Sequence, residues 1–184
     1  VSASAVSISG TTTTSLLITD RPTTTTENAS RMPLYENVSF LVGSMARDRL
    51  SFDVSLRGWK DLKGDAVHKS DVRLYRAAAR WKDPASGLEL ALGRQLVSEG
   101  VGRTYLDGLL VKRRAGGLTL SGFAGQPLRR GLDEWERWDK TALQWGAHAD
   151  WRTSGKLKLA LSYTERRDDG DVGLRLVGAN LRYH

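Results

Sequence analysis

The stretch Arg49–Trp59, RLSFDVSLRGW, decides how this chain is read. On an extended backbone Leu50, Phe52, Val54 and Leu56 point to one side, and Ser51, Asp53, Ser55 and Arg57 to the other. One side asks for apolar neighbours and the other for water or counter-charge. The same period of two recurs over Leu34–Ala46, Val72–Trp81, Leu88–Gln95, Asp107–Arg114, Leu118–Ala124, Thr141–Trp151, Leu157–Glu165 and Gly173–Tyr183. None of these segments has helical periodicity, so the sequence predicts an all-β, antiparallel chain.

The connections between them fall into two groups. RDR (47–49), KDPASG (82–87), RAGG (114–117) and RTSGK (152–156) are short and rich in turn formers. KDLKGDAVHKSD, LVSEGVGRTYL, GQPLRRGLDEWERWDK and RRDDGDV are longer and polar, and short and long take turns along the chain. This division places all four prolines in connections, where no ladder donor is expected to be lost. Segments of roughly ten residues, with short turns at one end and long loops at the other, predict an up-and-down transmembrane β-barrel. This chain supplies about ten strands of it, as a small barrel or part of a larger one. Residues 34–184 form the barrel strands, with short periplasmic turns and long outward loops. Residues 1–33, which carry two threonine blocks, form a first strand with an outward loop or a partly ordered arm. The chain opens at Val1 with neither an initiator Met nor an apolar leader core, which reads as a processed chain or a portion of one.

Composition is compatible with this. The hydrophobic fraction of 40% contains no run long enough for a helical span, and a barrel strand shows only half its residues to lipid. Cysteine is absent, which excludes disulfide scaffolds and thiolate metal sites. The net charge of +7 is spread along the chain and not gathered on one segment, so nucleic acid is not the expected partner.

Parity then assigns faces. The leucine-rich stripes face lipid, and the lumen is lined by Asp53, Arg57, Arg76, Arg80, Glu89, Lys112, Arg114, His148, Asp150, Lys158 and Arg182. Trp81, Trp151, Tyr163 and Tyr183 end their stripes as interface aromatics. An excess of Arg and Lys in a pore favours anions. No catalytic constellation stands out. His148 and Asp150 share a face two residues apart, without a nucleophile to serve; His68 lies in a loop and His184 at the chain end. No metal-ligand spacing occurs on one element, and no cofactor is expected. The loop carboxylates Asp133, Glu134, Glu136 and Asp139, beside Trp135 and Trp138, are a candidate for a divalent ion or sugar.

At LELALGRQLVSEGVGRTYLDGLLVKRR (88–114) the chain resembles the porin-like barrels of Gram-negative outer membranes, notably the alginate-export-like group. LYRAAARWKDPASG (74–87) and LVGANLRYH (176–184) share that likeness. The resemblance implies a bacterial outer-membrane channel for anionic solutes or an acidic polysaccharide, with arginines along the conduit and Arg94 the residue carried over most directly. The expected function is therefore an outer-membrane porin and not an enzyme, with the lipid bilayer as its surroundings. A barrel scaffold or sheath within an envelope complex is the first alternative, and a soluble secreted β protein that binds polyanions is the second.

Overall fold

Each alternating segment becomes a strand, and most extend beyond the apolar pattern into the flanking polar residues. A computed structural model describes residues 6–21, 29–63, 70–128, 142–153 and 156–183. The strands are β1 (Ser7–Leu16), β2 (Thr19–Arg21), β3 (Ala29–Arg31), β4 (Pro33–Met45), β5 (Leu50–Asp61) and β6 (Ser70–Asp83), followed by β7 (Leu88–Val97), β8 (Thr104–Ala115), β9 (Leu118–Pro127), β10 (Leu143–Arg152), β11 (Leu157–Asp168) and β12 (Asp171–Tyr183). Ten of them form one antiparallel sheet in the order β1-β4-β5-β6-β7-β8-β9-β10-β11-β12, and β2 and β3 make a separate two-stranded ladder. The Thr-rich segment supplies β1, which pairs with β4 from Ser7↔Gly43 to Leu16↔Leu34.

The expected closed barrel is not what forms. β1 pairs only with β4 and β12 only with β11, so among the described residues no ladder joins the two ends of the sheet. An open sheet leaves a row of unpaired N–H and C=O groups along each edge, and hydrocarbon, which offers them no partner, does not tolerate such edges. The structure therefore overturns the transmembrane up-and-down barrel. With it go the porin-like channel for anionic solutes, the barrel scaffold or sheath, the lipid-bilayer partner and the outer-membrane location. The alginate-export-like resemblance goes as well, because a channel needs closure that this sheet lacks. What stands is an all-β, ten-stranded antiparallel sheet. Among the described residues no helix is long and apolar enough to cross a membrane.

The alternation of short and long connections also breaks once. RRDDGDV, read as a long link, is mostly strand: β11 and β12 meet at the turn Asp169–Gly170, with φ of 54° and 91°. Positive φ at both central residues matches strand twist, and Asp-Gly is the dipeptide that accepts it most readily.

The core lies on a face the alternation marked as polar. Arg80, Ala91, Leu110, Phe123, Gly146, Thr164 and Leu176 face one another across successive strands. Ala91, Leu110 and Phe123 of this row are buried together with Val97 and Leu106. Gly108 and Gly125 oppose each other between β8 and β9; a Cβ on the first would sit 2.1 Å from the Ala124 carbonyl oxygen, and one on the second 2.4 Å from that of Asp107. Only bare backbone fits there. Phe123 lies over Gly146, filling the space that a side chain would take. On the opposite face the leucine stripe is open: Leu92 is 62% exposed and Val177 76%.

Candidate functional site

Directly paired residues of an antiparallel sheet project from the same side. The register therefore builds a second row next to the core, Lys82↔Glu89↔Lys112↔Ser121↔His148↔Ser162↔Gly178. Two residues further toward the short turns come Arg114↔Thr119↔Asp150↔Ala160↔Asn180, and beyond them Arg152↔Lys158↔Arg182. Asp53 (opposite Ala78) and Arg76 (opposite Ser55) occupy the same face at the β5–β6 end.

Most of these charges are matched. Arg76 Nη1 donates to Asp53 Oδ2 at 2.6 Å. Glu89 is approached by Arg80 at 3.4 Å and Lys82 at 3.6 Å. Arg57 donates to Asn37 Oδ1 at 2.6 Å, with its guanidinium 5.8 Å from the Tyr35 ring centre and 5.4 Å from that of Tyr75. Lys158 Nζ lies 2.8 Å from Asp150 Oδ2, and Arg152 Nε 3.4 Å from Oδ1. The Lys158 ammonium, with Arg152 behind it, holds the Asp150 carboxyl below its usual range. Arg114 and Arg182 have no ion-pair partner among the described residues. Asp150 is thus paired with Lys158 and Arg152 beside a cavity of about 520 Å³ bounded by His148, Asp150, Lys158, Asn180 and Arg182, while Arg114 lines a neighbouring cavity with Glu89 and Lys112.

The connection Ser98–Arg103 folds onto this face. Glu99 bonds the Lys112 ammonium. Gly100 lies over Ser162 and His148, and Val101 rests on Gly178, where a Cβ would collide with it at 2.1 Å. The sequence marks this link only as one of the longer polar connections; neither its inward fold nor the role of Glu99 follows from residue spacing. Arg152 and Asn180 were missed too, although their parity places both on the charged face.

The opposite face holds two polar clusters among its leucines. Arg94, whose parity set it apart from the charged row, makes a two-pronged bond to Asp107: Nε to Oδ1 and Nη2 to Oδ2, each 2.9 Å. Further along, Glu165 is 2% exposed and accepts from Tyr163 Oη at 2.5 Å, Arg167 Nε at 2.7 Å and Arg175 Nη2 at 3.0 Å. These donors, Tyr163 foremost, depress its carboxyl to about 2, and the bond to the Glu165 carboxylate in turn raises the Tyr163 hydroxyl. Tyr163 also packs on Trp145 at 5.1 Å between ring centres. Trp81 pairs with Leu50 and Leu90, Trp151 with Leu118 and Leu159, and Tyr183, largely exposed, with Leu157.

His68, His184 and the Asp133, Glu134, Glu136 and Asp139 loop with Trp135 and Trp138 lie outside the described residues. Among the described residues no cluster of three His, Asp or Glu is placed to hold a metal ion. No protein-family model matches the chain, and no curated protein matches it.

Proposed function

We propose that this chain binds an anionic polymer on the loop-covered face of its sheet, as a binding protein and not as an enzyme. The observation that carries the reading is the strip Arg114, Arg152, Lys158 and Arg182 across β8 to β12, in which Asp150 pairs with Lys158 and Arg152 while Arg114 and Arg182 have no ion-pair partner among the described residues. From β8 to β12 such a strip runs roughly 19 Å, at about 4.8 Å per strand, which suits several repeating charges better than one small anion. Clustered cations beside a cavity focus positive potential there and draw anions in. His148 and Asp150 share the face, with Ser121 and Ser162 across from His148. Yet among the described residues Ser121 Oγ and His148 Nδ1 are without a hydrogen-bond partner and Ser162 Oγ bonds the Gly178 carbonyl, so neither serine is joined to the imidazole as an activated nucleophile would be.

Retention on immobilised polygalacturonate and on heparin, against neutral dextran, tests the reading. Arg113 and Arg114 are sequence neighbours on opposite faces, so Arg113→Glu and Arg114→Glu make the same change in net charge. The reading expects Arg114→Glu to lower the salt needed for elution by at least three times as much as Arg113→Glu. Equal shifts, or no retention of the wild type at low salt, refute it.

A further inference from the structure

The row beneath the Ser98–Arg103 connection already binds a carboxylate, and that carboxylate belongs to the chain itself. Glu99 bonds Lys112, and both side chains are largely withdrawn from water. Lys112 stands directly across from Ser121, and Ser121 from His148. Ser121 is 7% exposed, and its Oγ has no hydrogen-bond partner among the described residues; nor has the buried His148 Nδ1. Buried polar groups without partners are uncommon, because each forfeits its hydration for nothing. An ammonium followed at successive strand spacings by a hydroxyl and an imidazole is a recognition set for an anionic oxygen cluster. Glu99 satisfies only the ammonium.

The contacts that seat the loop delivering Glu99 include Gly100 over Ser162 and His148, Val101 on Gly178, Gly102 beside Leu176, and the Glu99–Lys112 bond. The cation strip begins at Arg114 and Asp150, two residues along from Lys112 and His148 and so about 7 Å away. A polymer lying on the strip would bring its next charge to the edge of the row.

We infer that Ser98–Arg103 is an internal plug, in which Glu99 occupies the carboxylate position of a ligand site formed by Lys112, Ser121 and His148. A carboxylate-bearing polymer displaces it, taking over Lys112 and supplying partners to Ser121 and His148. The inference rests on the polyanion reading and adds to it the ligand chemistry and the device that controls access. Because the plug must leave first, the apparent affinity of the wild type is reduced by the fraction of molecules in which the loop is open.

Amide hydrogen exchange of residues 98–103, with and without saturating polygalacturonate, tests this in the unmodified protein. The expected result is loss of protection in this loop on binding, with inorganic phosphate at the same charge concentration leaving it protected. Two variants free the loop by different means, Glu99→Gln by removing the carboxylate and Gly178→Val by filling the seat of Val101 without changing charge. Each is expected to tighten polygalacturonate binding roughly tenfold, as loss of an ion pair and its contacts implies, and Lys112→Met added to Glu99→Gln is expected to abolish that gain. Unchanged loop protection in a polygalacturonate complex overturns the plug, as does a Glu99→Gln variant that binds no tighter than wild type. Either result, together with wild-type binding that still depends on Arg114, leaves the polyanion reading standing; absence of wild-type binding removes both.

Discussion

Asp107→Ala is expected to unfold this sheet more readily than any surface substitution. Asp107 receives both prongs of Arg94, each at 2.9 Å, and the two side chains keep only 12% and 16% of their exposure for Arg94 and Asp107. Arg94 Nη1 also donates to the Leu74 carbonyl at 3.1 Å, which ties β6 to the pair. Removing one partner of a buried pair costs about 3–5 kcal/mol, chiefly because a charge is left uncompensated. The residual exposure of Arg94 and its bond to Leu74 place the loss at the lower end, about 3 kcal/mol. With a urea dependence of about 2 kcal/mol per molar, the unfolding midpoint should fall by about 1.5 M. The double variant Arg94→Met with Asp107→Leu replaces the pair by apolar groups on a face that is otherwise leucine-rich. It should return to within about 1 kcal/mol of wild type or exceed it. Urea titration followed by tryptophan fluorescence reads all three proteins. An Asp107→Ala loss under about 0.5 kcal/mol, or a double variant weaker than the single one, refutes the assignment of a desolvated pair.

Acid should weaken the fold through Glu165 and Asp150. Glu165 ionises near 2 in the folded chain against 4.5 ordinarily, so its stabilisation is complete above the ordinary value and is lost as pH falls through the folded one. Asp150, also depressed, acts in the same direction. Glu165→Gln should flatten this acid dependence, visible as a smaller drop in melting temperature between neutral pH and about pH 3. Gly108→Ala puts a methyl group 2.1 Å from the Ala124 carbonyl oxygen and should cost about 2 kcal/mol or more, read as a lower thermal midpoint. An unchanged midpoint would mean that β8 and β9 separate there without penalty.

Strand positions were legible because period-two alternation is local. Leu88, Leu90 and Leu92 against Glu89, Ala91 and Gly93 specify an extended strand with a defined register whatever surrounds it. Closure was not legible, because it depends on whether β1 meets β12, and nothing in the pattern of either strand encodes its neighbour. Burial misled for a related reason. Leucine stripes suggest which side needs cover, yet the core assembled on the other side from Ala91, Val97, Leu106, Leu110 and Phe123, beside glycines that let backbones approach. In RRDDGDV charge density masked an Asp-Gly hairpin turn, the one signal in that link with a conformational mechanism. Of the candidate site, parity placed the charged residues on a common face, but Glu99 reaches Lys112 through a tertiary fold of the loop that no spacing rule anticipates.

Chain-order pairing has a kinetic consequence. Among the described residues no ladder joins positions further apart in sequence than Ser7 and Gly43, so each strand finds its partner close at hand along the polypeptide. Short loop closures carry small entropic penalties, and topologies rich in them fold quickly for their size. Assembly can advance like a zipper, one hairpin at a time. No step has to await an encounter between the first strand and the last.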